Sequence, residues 1–119
     1  MKIQVNTDVN IHRTEALATQ VSASVEQALE HFKDHITRVE VHLSDESHGR
    51  TGPHDQRCML EARLQGRKPV AVTEHATTLE QAVDGAAEKL VHLLEHTLGR
   101  LHDRRNKAVN LPIGEDESE

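Results

Sequence analysis

Near the N-terminus, Ile3 and Val5 alternate with Lys2, Gln4 and Asn6, a period of two that predicts a strand over about Lys2–Asn6. Val9 and Ile11 follow as apolar anchors. The period then changes: Leu17, Val21, Val25, Ala28, Leu29 and Phe32 recur at helical spacing, predicting a helix over roughly Thr14–Lys33 with one buried stripe, closed by Asp34-His35. Alternation returns in Val39, Val41 and Leu43 against Arg38, Glu40 and His42, and again in Cys58, Leu60, Ala62 and Leu64 against Arg57, Met59, Glu61 and Arg63. Between these two strands, Asp45–Gln56 reads as a long polar, mobile loop with two glycines and a proline. Gln65-Gly66-Arg67-Lys68 reads as a hairpin turn into a fourth strand carrying Val70 and Val72, with Pro69 at its start or on an edge. A second helix opens with a capping box, Thr77 with Glu80 or Thr78 with Gln81, and carries Leu79, Val83, Ala86, Leu90, Leu94, Leu98 and Leu101 to about Arg104.

The order β-α-β-β-β-α predicts an α+β fold, one two-layer domain in which a four-stranded sheet carries both helices on one face, since only that arrangement buries both stripes. The domain is expected over residues 1–105. Residues 106–119, where the pattern dissolves into Glu-Asp-Glu-Ser-Glu, read as an acidic, disordered tail. The order also resembles that of double-stranded-RNA-binding domains, but fold alone gives no function.

Composition narrows the chemistry. At 119 residues, 35% hydrophobic and 29% charged, the chain suits one soluble domain and offers no membrane-spanning run. A single cysteine, Cys58, forms no internal disulfide; with no signal region at the N-terminus, a cytoplasmic location is expected. Cys58 sits in a strand pattern and reads as a buried structural thiol. Phe32 is the only aromatic, so stacking platforms for single-stranded nucleic acid are missing and RNA recognition has to run through charge, hydroxyls and shape. A formal charge of −6 opposes generic polyanion binding, although full protonation of the ten histidines would carry it to +4.

Around the second helix the cations are segregated. At 100° per residue, Lys89, His92, His96, Arg100 and Arg104 share a strip beside the apolar stripe, with Arg105 and Lys107 extending the positive end; Asp84, Glu88 and Glu95 lie on its far side. Two readings remain open at this point: a solvated face complementing the helix C-terminus, and a ridge that contacts phosphates. His92-Leu93-Leu94-Glu95-His96 matches the H-x-x-E-H pattern of a zinc peptidase class, but a chain this short builds no substrate cleft around it. His31 and His35 form a second pair four apart. No Cys-x-x-Cys, Gly-rich phosphate loop or nucleophile elbow accompanies them. The reading is therefore of a non-enzyme without metal, cofactor or small-molecule substrate.

The segment Ala82-Val83-Asp84-Gly85-Ala86-Ala87-Glu88-Lys89-Leu90, with Leu94 and Leu98, resembles the second helix of ribosome hibernation-promoting factors, also described as ribosome-associated inhibitors or ribosomal subunit interface proteins. Thr14-Glu15-Ala16-Leu17 and Leu29-Glu30-His31-Phe32 resemble the ends of that family's first helix, and the strand order agrees from about Met1 to Arg105. The resemblance implies a protein that binds the small ribosomal subunit through rRNA phosphates, occupies the channel for messenger and transfer RNA, and silences translation in stationary phase or stress. The matching cations are Lys89, His92, His96 and Arg100, continued by Arg104 and Arg105, with Arg13 and Lys33 flanking the first helix. A cationic ridge from Lys89 to Arg104 is expected beside that helix. The chain departs from the family in its lysine-poor first helix, Ser22-Ala23-Ser24-Val25-Glu26-Gln27, and in histidines replacing cations, and it is expected to resemble the short members, without the C-terminal dimerisation domain of long ones. Those departures sustain an alternative: a non-ribosomal protein-interaction or stress-response module of the same fold.

Overall fold

The computed structural model describes residues 1–47 and 54–109, with side chains through residue 99. The expected order is present: β1 (Lys2–Thr7), α1 (Glu15–Ala28), a 3-10 segment (Glu30–His35), β2 (Ile36–Asp45), β3 (Gln56–Leu64), β4 (Val70–Ala76) and α2 (Leu79–Val109). The sheet runs β1-β2-β3-β4. β1 lies parallel to β2, which requires a crossover, and α1 with the 3-10 segment supplies it. β2, β3 and β4 are antiparallel neighbours. The β3–β4 hairpin turns at Gly66, whose φ of 68° is the left-handed conformation that glycine adopts without strain.

One face of the sheet is apolar and carries both helices. Val5, Val39, Val41, Leu43, Cys58, Leu60, Ala62 and Leu64 pack there against Val21, Val25 and Leu29 from the α1 side and Val83, Ala86, Leu90 and Leu94 from α2, in one continuous core. Burial pushes the Cys58 thiol up to about 12, so it is a protonated core group, as its strand position predicts. The other face is open and polar.

Several boundaries differ from the pattern. α1 stops at Ala28 because Leu29 leaves helical geometry (φ −100°, ψ 14°), and the remainder tightens to a 3-10 segment. Leu29 and Phe32 both pack against the core, and three residues per turn stacks them on one line. Val9 is no anchor: it is 99% exposed. Asp8 Oδ1 accepts the Asn10 N–H at 3.0 Å and the Asp8 carbonyl accepts the Ile11 N–H at 3.2 Å, a local turn that throws Val9 outward while Ile11 reaches the core. α2 runs past Arg104 to Val109, with no glycine or proline to stop it there. Half of the Asp45–Gln56 loop (48–53) and the end of the acidic tail (110–119) lie outside the described residues.

Both helices start at a threonine: Thr14, where the first helix is expected to begin, and Thr78, one of the two caps the sequence offers for the second. Thr14 Oγ1 accepts the Leu17 N–H at 3.0 Å, and Thr78 Oγ1 accepts the Gln81 N–H at 3.1 Å, each satisfying a donor that the first turn leaves free.

Candidate nucleic-acid interface

Lys89, His92 and His96 stand at i, i+3 and i+7 on α2, the spacing that stacks side chains along one helix face, and all three are exposed. Lys89 fixes which way this face points. Its ammonium donates to the Thr73 carbonyl at 2.8 Å and pairs with Glu74 Oε1 at 3.0 Å, both on β4. The Lys89 hydrogen bond holds the Glu74 carboxyl below the usual carboxylate range, with Lys89's charge adding to it. Gly85, one turn before Lys89, makes room for this pair: a Cβ there would lie 2.7 Å from Glu74 Oε2 and 2.8 Å from Glu74 Cγ. The Gly85-to-Lys89 spacing in the resemblance motif thus has a local cause, a carboxylate from β4 seated against the helix backbone.

The cationic strip therefore lies on the β4 side of α2. This corrects the expectation of a ridge beside α1. Toward α1, α2 presents Leu79, Glu80, Val83 and Asp84, which line a groove with Leu17, Gln20, Val21 and Ser24. Its floor is apolar and its α2 rim acidic.

The flanking cations fall elsewhere. Arg13 Nε donates to the Val5 carbonyl at 3.3 Å, which holds it against β1. β1 and β4 are opposite edges of the sheet, about 14 Å apart by three strand spacings. Lys33 pairs with Glu30 at 3.0 Å in the 3-10 segment, and that hydrogen bond raises its pKa. Arg100, Arg104 and Arg105 lie on the continuation of α2, their side chains outside the described residues. So the structure brings Lys89, His92 and His96 together, keeps the three arginines on the same rod, and places Arg13 and Lys33 apart from them.

The H-x-x-E-H residues His92, Glu95 and His96 are all exposed on α2. Among the described residues, metal-ligating groups converge at two other places: Glu40, His42 and Glu61 on the open sheet face, and Glu46, Asp55 and His75 beside the β2–β3 loop, each set within 4.8 Å. Arginines from outside the set already engage the first, and the second is held by a contact between two of its own members. Glu40 is shared by Arg38 at 3.1 Å, His42 at 3.5 Å and Arg63 at 4.0 Å, and Asp55 meets His75 Nδ1 at 2.7 Å.

Sequence reasoning about charge attended to the helices and left aside the cations of the open sheet face. Lys2, Arg38, Arg57 and Arg63 all occupy its outward positions. The signal was present: each is a polar alternate of a strand whose other residues are apolar.

Compared with known proteins, residues 3–102 match the family described as Sigma 54 modulation protein / S30EA ribosomal protein. Among solved structures, the Thermus thermophilus Protein Y N-terminal domain shares the fold at TM-score 0.65 and 23% identity, covering 82% of this chain and 99% of that one. A ribosomal subunit interface protein from Coxiella burnetii does so at TM-score 0.63 and 16% identity, covering 83% and 99% respectively. The search of curated proteins finds no match.

Proposed function

Since the chain belongs to the Sigma 54 modulation protein / S30EA ribosomal protein family, a family of non-enzymatic ribosome-associated factors, we propose that it binds the small ribosomal subunit through rRNA phosphates and silences translation by occupying the messenger and transfer RNA channel. Family membership supports association with the ribosome. The observation that carries the finer reading is the exposed strip of Lys89, His92 and His96 on a helix of 31 residues, about 46 Å long. A helix of that length with Lys89, His92 and His96 along one side is shaped to follow a phosphate backbone, and Arg100, Arg104 and Arg105 come next along its sequence. The Glu74–Lys89 pair orients the start of the strip at the cost of offsetting the charge of Lys89. No catalysis enters the mechanism: occupancy excludes the competing RNAs, and charge supplies the affinity. Action in the cytoplasm during stationary phase or stress follows from the same reading.

The test is co-sedimentation of the full chain with small subunits across a salt series at pH 6.5 and 7.5. Salt-sensitive binding that a His92→Glu/His96→Glu variant weakens is expected. Binding that the variant leaves untouched would sink the strip as the contact surface.

One observation favours the alternative of a protein-interaction module. Between Arg13 and Lys33 the chain holds no lysine or arginine, and the groove between α1 and α2 is rimmed by Glu80 and Asp84 over Leu17, Val21, Leu79 and Val83. That surface suits a basic polypeptide better than RNA. No binding to subunits at low salt at either pH would select this reading.

A further inference from the structure

The strand register sorts the charges of the open sheet face into bands. Lys2 of β1 lies opposite Arg38 of β2, and Arg38 opposite Arg63 of β3, so three cations form a row across three strands. The next row along the strands is Gln4, Glu40, Glu61 and Ala71. After it come Asn6, His42, Met59 and Thr73. The cation row is the one nearest the β3–β4 turn, and exposed Arg67 and Lys68 stand in that turn. A bulge between Ile36 and Arg38 lets Ile36 and Val39 both face the core while Arg38 turns out opposite Arg63.

Stability alone would favour another arrangement. Like charges directly opposite across strands destabilise a sheet, and alternating signs would turn the same residues into favourable pairs. Here arginine opposes arginine and glutamate opposes glutamate. Glu40 relieves part of this by serving Arg38 at 3.1 Å and Arg63 at 4.0 Å. Arg38 also donates to Gln4 Oε1. Even with Glu40 and Glu61 set against Arg38 and Arg63, Lys2, Arg67 and Lys68 remain as surplus positive charge, and among the described residues none of those three has an ion-pair partner. Glu30 and Asp34, the nearest acids in the 3-10 segment, belong to the helix layer on the other side of the sheet, and Glu30 is engaged by Lys33.

We infer that the hairpin end of the open sheet face is a second phosphate-contact surface, in which Lys2, Arg38, Arg63, Arg67 and Lys68 take the backbone of an RNA strand. An anion there removes the repulsion that the register builds in. The row spans about 10 Å, two strand spacings, so it offers several phosphates a place. The face carries no aromatic side chain, so it reads backbone and not bases. The position of the surface comes from the register; the choice of RNA as its anion rests on the ribosomal reading above. With the α2 strip on the β4 side of the helix layer, two cationic surfaces lie on different sides of one small domain, which suits a protein wedged between RNA segments.

The experiment compares the full wild-type chain with a Lys2→Gln/Arg63→Gln/Arg67→Gln/Lys68→Gln variant, leaving Arg38 to hold Glu40. Binding to small subunits and to a single-stranded oligouridylate is measured across a salt series. Removal of three or four phosphate contacts is expected to weaken oligouridylate binding roughly tenfold or more and to flatten the salt slope by about 2 to 3. Equal binding of variant and wild type to oligouridylate would overturn the inference, as would a wild-type chain that ignores RNA. A variant that loses oligouridylate binding while the wild type ignores subunits would uphold the surface and sink the ribosomal reading. Wild type that binds subunits, with a variant equal to it on both probes, would do the reverse. Polyglutamate binding with the same loss in the variant would assign the surface to acidic protein and overturn the RNA assignment.

Discussion

The two helices lie side by side on the same sheet face and bury their apolar stripes in the same core, yet their solvent sides have diverged. α1 spans Glu15–Ala28 and exposes Glu15, Thr19, Gln20, Ala23, Glu26 and Gln27, with no cation. α2 spans Leu79–Val109 and exposes Lys89, His92 and His96 on the side turned from α1, with three further arginines beyond. The core asks the same of both helices, an apolar stripe of fixed width, and leaves the outer residues free. Charge on the outer face is therefore a separate property from packing, and here it has been concentrated on one helix and withdrawn from the other.

The largest expected effect tests the part the helices share. Leu29 at the end of α1 and Leu90 in α2 are both fully buried. Leu29→Ala and Leu90→Ala should each destabilise the fold by about 3 kcal/mol, measured by chemical denaturation. A much smaller loss at Leu29 would mean that α1 is also the weaker helix in the core, and the contrast between them would no longer be one of charge alone.

Charge exchange on the surface sharpens the contrast next. Gln20→Lys/Ala23→Lys/Gln27→Lys on α1 should steepen the salt dependence of subunit binding by about 2 and raise affinity at low salt, if RNA lies across the helix layer. Unchanged binding would confine the RNA to the β4 side of α2 and to the sheet.

The caps give a smaller comparison. Thr14→Ala and Thr78→Ala each leave a first-turn N–H without its side-chain acceptor, at a cost of about 1 kcal/mol. Thermal unfolding should show similar losses for the two. A markedly larger loss at Thr78 would show that the start of α2, which also positions Gly85 and Lys89, is held more tightly than its length requires.

The smallest effect is a pH dependence. The Glu74 carboxyl is held below its ordinary value by Lys89, so its stabilisation is present above the usual carboxylate range and is lost as pH falls through the lowered folded value. Glu74→Gln should remove that part of the acid sensitivity, and Gly85→Ala, by displacing Glu74, should do the same while regaining helix propensity worth up to about 1 kcal/mol. An acid unfolding profile unchanged in both variants would show that the pair contributes nothing measurable.

The sequence by itself determined the element order, the strand faces, both helix stripes and a threonine cap for α2, because these depend on local periods and on a hydroxyl one turn from the amide it caps. It also carried the family, through the Asp84-Gly85 and Lys89-Leu90 stretch. It set Lys89, His92 and His96 on one face of α2, since a face is a property of one helix. The side of the domain that the strip faces could not be read that way. The choice is made by Lys89 reaching Thr73 and Glu74, residues of another element, and by α1 packing along the opposite flank of α2. The 3-10 ending of α1 was also decided from outside, by the core contacts of Leu29 and Phe32. The banded charges of the open sheet needed the register most of all. Alternation says that Arg38 and Arg63 point outward, but only strand pairing sets them opposite each other.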